Sequence, residues 1–517
     1  RVMALNAVVC VIAAIAILIV LLRSLKIAQL EHYIPGSVST TLNRWNTALP
    51  GNYAFIVVAA LMLIMSVVID QRGFASGAVL AASVLLVFWP VDLSVRGLER
   101  TAKFTRRLSV VAALAVALLV VLALIIWALP RTGIALALGI SALLTPLMVD
   151  IALIIAMPIE SAIGQKYATE AARTLAKVGP TTVAITGSFG KTTTKEYLAT
   201  LLSGFKATVP SPASFNNKAG LSRAVSERLE PGTEVFVAEM GTYGKGEIAA
   251  LCRYFPPDVS VFCALGPVHL ERMKTLDGIV EAKSEIFQPG KPAVINVDFP
   301  QLAALAARHS MGPVIRVATS LALGADVTVL TKPDGFEIDI RGQRHTAAHP
   351  DAPSLDGQNL ASALGAVLAL GVDPARVMAN VAKIVRPKNR RATGKAPGGW
   401  LIVDDTFNSN PAGARAATTE LRRRTGGTAV VVTPGMVELG SSQAIENEAW
   451  IAQSAGIIDR LIVVGHTNRK ALVAGAKTAG IAYETVGRRE QAVQLLRSQL
   501  RPGDGVLYEN DLPVHYP

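Results

Sequence analysis

The sequence predicts a polytopic α-helical membrane domain of about five spans, followed by an α/β module with a phosphate-loop central domain and a Rossmann-like C-terminal domain. Two observations carry this. The 517 residues are 51% hydrophobic, and the excess is concentrated in the first third of the chain. Beyond it, apolar strand-like runs alternate with helical ones, and the first run opens into a glycine turn (TTVAITGSFGKTTTKEYLAT, 181–200).

The stretches 2–22, 53–69, 75–95, 108–129 and 133–159 are long and apolar enough to span a bilayer. The first lacks a small-residue cleavage site and is followed by other spans, so it reads as a membrane helix and not a signal peptide. The numbering opens on Arg1, and residues are expected before it. Arg23, Lys26 and Arg44 fall between spans one and two; Arg96, Arg100, Lys103, Arg106 and Arg107 fall between spans three and four. Only Arg1, Arg72 and Arg131 fall on the other side. The positive-inside rule then predicts a multi-pass plasma-membrane protein with its N-terminus outside and residue 160 onward in the cytoplasm. The last span carries Pro146 and Asp150. An ionisable group at that depth either snorkels to the interface or faces a polar groove, which here would orient a substrate headgroup.

Residues 160–180 have helical spacing (Ile163, Tyr167, Ala171, Leu175) and read as a connector helix. Val183-Ala184-Ile185, then Gly187-Ser188-Phe189-Gly190, then Lys191-Thr192-Thr193 read as strand, turn and helix start. That order makes a phosphate cradle: N–H groups and the positive helix end face the anion, Lys191 adds charge, and a Thr hydroxyl can ligate Mg²⁺.

Strands are expected at 182–185, 234–238, 259–264 and 293–296, building a parallel sheet in a domain that runs to about 385. Residues 323–350 alternate around Pro333-Asp334-Gly335 and read as a β-hairpin insert. The segment 386–517 repeats the strand–helix rhythm at 400–403, 428–432, 460–464 and 505–508.

Other signals exclude function classes. Cys10, Cys252 and Cys263 have no metal-site or disulfide spacing. The net charge of +12 is accounted for by positive-inside loops and an ordinary surface, and 5% aromatics without basic interleaving argue against nucleic acid as a partner. Glu239 closes an apolar strand, where a carboxylate can reach a phosphate-bound Mg²⁺. Read alone, His269 is more often structural than a ligand, and Lys283 would ordinarily be a solvated helix lysine paired with a nearby Glu.

The order of the pieces says more. TGSFGKTTTKE (186–196), FNNKAG (215–220), EMGTYGKGEI (239–248), GPVHLERMKTLDGIVEAKSEIF (266–287), INVD (295–298), DGQNLASALGA (356–366), PKNRR (387–391), DDTFNSNP (404–411) and PGMVELG (434–440) together resemble the Mur ligase family, most closely its MurF-like branch. The resemblance covers about 181–510. It implies an ATP-dependent, ADP-forming acid–amino acid ligase of cell-wall (peptidoglycan) biogenesis. Gly187, Ser188, Gly190, Lys191, Thr192 and Thr193 would bind the phosphates. Thr192 and Glu239 would hold one Mg²⁺, and His269 with a carbamylated Lys283 a second. Asn296 and Asn359 would lie at the adenine, Arg390 or Arg391 at the γ-phosphate, and Asp405 at the ribose.

The departures bear on the substrates. The MurF-like branch has a soluble N-terminal domain for the UDP-sugar where this chain has membrane spans. Its KGSR-like segment is here Tyr508-Glu509-Asn510-Asp511-Leu512-Pro513, and its GDM-x-ELG pattern is Pro434-Gly435-Met436-Val437-Glu438-Leu439-Gly440. A membrane-presented, lipid-linked envelope precursor is therefore the expected acceptor, with an amino acid or short peptide as the amine. The alternatives are a membrane polyglutamate-type synthase, and an ATP-driven transporter or ATP sensor. No LSGGQ-like motif supports transport.

Overall fold

The computed structural model describes residues 2–69, 72–93, 103–130, 132–268, 270–387, 392–407, 409–512 and 516–517. The chain divides into two compact units: Arg1–Ile163 with Gly465–Thr467 and Leu512–Pro517, and Gly164–Val464 with Asn468–Asp511.

The first unit is helical: α1 (Val2–Leu30), α2 (Ser37–Ala48), α3 (Gly51–Val68), α4 (Arg72–Phe88), α5 (Arg106–Trp127) and the start of α6 (Ile134–Val178). Its seams are lined by small residues such as Ala16, Ala59, Ala82 and Ala115, while Val11, Ile64 and Ile125 stand more than half exposed. That inside-out pattern suits helices whose solvent is lipid. Among the described residues four helices are long and apolar enough to cross a membrane. The expected third span, 75–95, is shorter than read. Its helix ends at Phe88 because the residue before Pro90 is disfavoured in α conformation, leaving 17 residues. Positions 94 and 95 lie outside the described residues.

Three charges are placed differently from the sequence reading. Arg23 and Lys26 are not in a loop: α1 continues to Leu30, and both side chains are buried. Arg23 Nη2 donates to Val87 O at 2.8 Å and Nη1 to Trp89 O, setting a cation on the C-terminal end of α4. Asp150 neither snorkels nor opens onto a groove. It is buried, and its oxygens accept from Val38 N (3.2 Å), Ser39 N (3.0 Å) and Ser39 Oγ (2.6 Å). The N-cap residue of α2 is Gly36, which has no side chain to offer, so a carboxylate from α6 caps that helix instead.

The expected connector at 160–178 is the last part of α6, which carries Pro146 and Pro158 within it. The second unit follows. Its larger sheet contains β1 (Thr181–Thr186), β2 (Thr208–Pro210), β3 (Val235–Glu239), β4 (Val259–Phe262) and β5 (Ala293–Asn296). It continues through β6 (Val314–Ala318), β7 (Val327–Lys332), β8 (Gly335–Ile340) and β9 (Gln343–Ala348). The order is β2-β3-β1-β4-β5-β6-β7-β8-β9, parallel through β7. The 323–350 segment is thus no insert. It extends the same sheet by antiparallel strands, with a second hairpin at Arg341-Gly342.

Helices cover both faces, which is why the strands read as unbroken apolar runs. Val183 and Ile185 pack on α7 (Lys191–Leu202) and α9 (Gly357–Ala369) through Leu198, Leu201, Leu360 and Leu364. Ala184, Phe236 and Phe262 face the opposite layer, which includes Ile279 of α8 (Leu276–Ser284). After β1 the chain fills β2 and β3 on one side of it and then crosses to β4 on the other, a switch point whose C-terminal edge is where open α/β sheets bind ligands.

The smaller sheet contains β10 (Ala392–Lys395), β11 (Leu401–Asp405), β12 (Ala429–Thr433), β13 (Arg460–Val464), β14 (Ala482–Val486) and β15 (Gly505–Glu509), in the order β10-β11-β15-β12-β13-β14. Every strand but β10 runs parallel, and α10 (Pro411–Arg424) follows β11.

Candidate nucleotide site

The register of the larger sheet brings the sequence motifs to one edge. Ile185 pairs with Glu239, Thr186 with Phe262, and Phe262 with Ile295, so the ends of β3, β1, β4 and β5 lie side by side. The phosphate loop leaves β1 at Gly187. A Cβ there would sit 2.5 Å from Cys263 Sγ, which explains the glycine. Gly190 is constrained twice over: its φ is +78°, and a Cβ would lie 2.3 Å from Asn359 Oδ1. The loop is fastened to the strand beside it by Ser188 N to Ala264 O (2.8 Å) and Ser188 Oγ to Gly266 O (3.1 Å).

Lys191 begins α7 and reaches back over the loop, Nζ donating to Gly187 O at 2.7 Å. Thr192, the next residue, donates from Oγ1 to Glu239 Oε2 at 2.8 Å. Glu239 is buried and receives two more groups: Asn216 Nδ2 at 3.3 Å on Oε1 and Lys195 Nζ at 3.4 Å on Oε2. Asn359 supports the helix start by accepting from Thr194 Oγ1 at 3.2 Å.

Lys283 is fully buried on α8. Burial and then the nearby Lys191 charge hold its amine well below the usual lysine range, with Cys263 acting weakly the other way. Cys263 is pushed up to about 11 by burial, and the protonated thiol donates to Phe189 O at 3.1 Å. Asn296 is buried with its amide engaged by the protein: Nδ2 donates to Cys263 O (2.9 Å), and Oδ1 accepts from Asp298 N (3.0 Å). Thr193 is buried one residue on from Thr192. Asp405 ends β11 in the smaller sheet, where its carbonyl accepts from Asn510 N at 3.0 Å. The divergent segments meet beside it, Asn510 Nδ2 donating to Gly435 O at 2.7 Å. His269, Arg390 and Arg391 lie outside the described residues.

Among the described residues no three His, Cys, Asp or Glu side chains converge on a metal position. Magnesium does not require that. It keeps waters and phosphate oxygens and asks of the protein one or two hard oxygen donors; Thr192 and Glu239 bring a hydroxyl and a carboxylate together at the helix start. The sequence reading assigned no role to Lys195 or Asn216. The signals were there: Lys195 is three residues beyond Thr192 on the same helix face, and Asn216 lies in the FNN motif.

Comparison with known proteins agrees with this geometry. The Mur ligase middle domain matches residues 185–367, and the Mur ligase, glutamate ligase domain matches residues 389–508. A UDP-N-acetylmuramoyl-tripeptide–D-alanyl-D-alanine ligase of Mycobacterium bovis is 31% identical over 383 residues, covering 66% of this chain and 72% of the relative. The chain belongs to the Mur ligase family. The same-named ligase of Mycobacterium leprae is 30% identical over 385 residues, 66% of this chain and 73% of that one. Among solved structures, MurF of Acinetobacter baumannii superposes with a TM-score of 0.59 at 25% identity, covering 67% and 77% of the two chains. MurF of Thermotoga maritima in complex with ADP gives 0.57 at 26% identity, covering 68% and 81%. Mur ligases are ATP-dependent, ADP-forming carbon–nitrogen ligases, and so is this chain by membership. Both family matches begin after the apolar helices.

Proposed function

We propose that the protein joins an amine to a carboxylate of a cell-envelope precursor presented at the membrane, through an acyl phosphate. The observation that carries the reading is the Thr192–Glu239 pair at the phosphate loop, in a Mur ligase chain that also contains helices apolar enough to cross a bilayer. The acceptor carboxylate attacks the γ-phosphorus of ATP, and ADP leaves. The amine then adds to the acyl carbon, and phosphate leaves from the tetrahedral adduct with the amide formed. Lys191 and the α7 N–H groups would bind the transferring phosphoryl, and a divalent cation held by Thr192 and Glu239 would offset its charge. Asn359 holds the loop, and Asp405 would bind the ribose from the smaller sheet.

Lys283 suits carbamylation because burial holds its amine well below the usual lysine range, and its unprotonated form would add to CO₂ with loss of a proton, giving an anionic group that would hold a second cation with His269. A multi-pass topology with α4 as the shortest span and the ligase module cytoplasmic, as the positive-inside rule predicts, would put this chemistry on the ATP side.

The test supplies full-length protein in nanodiscs with ATP, D-alanyl-D-alanine and either a UDP-linked or a polyprenyl-linked muramoyl tripeptide whose acceptor carboxylate carries ¹⁸O. Amide formation with ¹⁸O appearing in the released phosphate establishes the acyl phosphate. Preference for the lipid-linked acceptor supports membrane presentation, and equal use of the soluble one removes it.

A further inference from the structure

Lys195 is fully buried, an expensive place for an ammonium unless its donors are met. They are met from three directions. Nζ donates to Ala213 O, lies 3.4 Å from Glu239 Oε2, and lies 3.6 Å from Glu196 Oε1. Glu239 Oε2 is the same oxygen that takes the Thr192 hydroxyl, so Thr192 and Lys195, one turn apart on α7, grip one carboxylate oxygen.

The Ala213 contact extends the grip to a loop. Ala213 has φ +43°, left-handed backbone that a residue with a Cβ rarely adopts, so something must hold it there. Three residues on, Asn216 donates to the other oxygen of Glu239, and its carbonyl accepts from Gly241 N at 2.8 Å. Packing is close: a Cβ on Gly241 would meet the Asn216 amide at 2.9 Å. Glu239 is therefore fixed at Oε2 from α7 and at Oε1 from the 211–217 loop, and Lys195 touches both anchors.

We propose that Lys195 is a positioning residue of the cation site: it presents Glu239 and the 211–217 loop in the arrangement that a divalent cation on Thr192 and Glu239 needs. This rests on the assignment of that pair as the cation site. Two roles give opposite signs. A lysine acting only by its charge repels the cation, so its removal tightens binding; a lysine acting by position leaves the carboxylate misplaced, so its removal weakens binding.

The experiment titrates Mn²⁺ into full-length protein in nanodiscs saturated with ADP and reads free Mn²⁺ by electron paramagnetic resonance. ADP binding is measured separately in EDTA. Lys195→Met is expected to weaken Mn²⁺ binding about tenfold, as loss of a ligand-orienting partner does, while ADP binding in EDTA stays within about twofold. Should Lys195→Met fail to fold, Lys195→Gln carries the test, since it keeps a donor for Ala213 O but loses the charge; about tenfold weakening is again expected. Unchanged or tighter Mn²⁺ binding in the folded variant overturns the proposal. Glu239→Gln separates the two claims. If it binds Mn²⁺ like the parent, the cation-site assignment falls; if it loses Mn²⁺ while Lys195→Met does not, only the role of Lys195 falls.

Discussion

Thr192 and Glu239 stand 47 positions apart in the chain and meet through a single 2.8 Å hydrogen bond, hydroxyl to carboxylate, across the ends of two adjacent strands. The bond joins the start of a helix to the end of β3, and neither motif alone contains the site.

Glu239→Gln should leave the fold intact and abolish turnover. The amide keeps the shape and can still accept from Thr192, but it removes the anion a cation needs. A loss of at least about a hundredfold in kcat is expected, the scale seen when a transition-state charge partner is removed. Phosphate release under saturating ATP checks it.

Gly190→Ala should cost more than an ordinary loop substitution. It places a Cβ at positive φ and against Asn359 Oδ1, so the loop or α9 must shift. ADP affinity measured by calorimetry should fall by at least about tenfold, or 1.4 kcal/mol, while far-ultraviolet circular dichroism stays unchanged.

Lys283→Ala should lose activity and recover part of it with added acetate or formate. In the parent, ¹³C-bicarbonate should give a carbamate resonance that the variant lacks. Linkage supplies an independent check. The folded lysine sits below its ordinary value of 10.5, so between the two values the unfolded chain binds more protons. Stability from this site therefore rises as pH climbs toward 10.5, and Lys283→Met should flatten that rise in melting temperature against pH.

Glu420 on α10 is the centre of a cluster with Ser354, Asp351, Arg423 and Arg424. It accepts from Ser354 Oγ at 2.6 Å and from Arg423 at 3.0 Å, and Arg424 bridges Glu420 and Asp351. Burial alone would raise this carboxyl, but the Ser354 and arginine bonds outweigh it and hold it below the usual 4.5. A depressed carboxylate stabilises the fold above its ordinary value and stops doing so as pH falls through the folded one. Glu420→Gln should cost about 1–2 kcal/mol at neutral pH, and its deficit relative to the parent should vanish in acid. Urea unfolding at pH 7 and pH 3.5 measures both.

Much of the larger sheet could be read from the chain because β1, β3, β4 and β5 are buried on both faces and so announce themselves as short apolar runs. The predicted 293–296 and 460–464 coincide with β5 and β13. What escaped has physical reasons. β14 presents Ala482-Tyr483-Glu484 to solvent at a sheet edge and lacks the apolar signal. Arg23 looked like a loop charge because nothing near it in sequence reveals the carbonyls of Val87 and Trp89. Lys195 received no role because its acceptors, Ala213 and Glu239, come from other elements. Glu239 itself was legible because its place at a strand end is a local property.

Asp150→Ala should destabilise the helical unit by about 2–4 kcal/mol, since it strips the acceptor from two N–H groups and a hydroxyl of a buried helix end, while ADP binding is unchanged. The pairing also sets an order of assembly. Ser39 and Asp150 are 111 residues apart, so α2 emerges from the ribosome long before its cap is synthesised. Until α6 arrives beside it, the start of α2 has neither a side chain of its own nor a partner to satisfy it, and it must stay hydrated at the interface. Assembly of this helical unit therefore waits for α6, and nascent chains halted before residue 150 should remain accessible to proteases around α2.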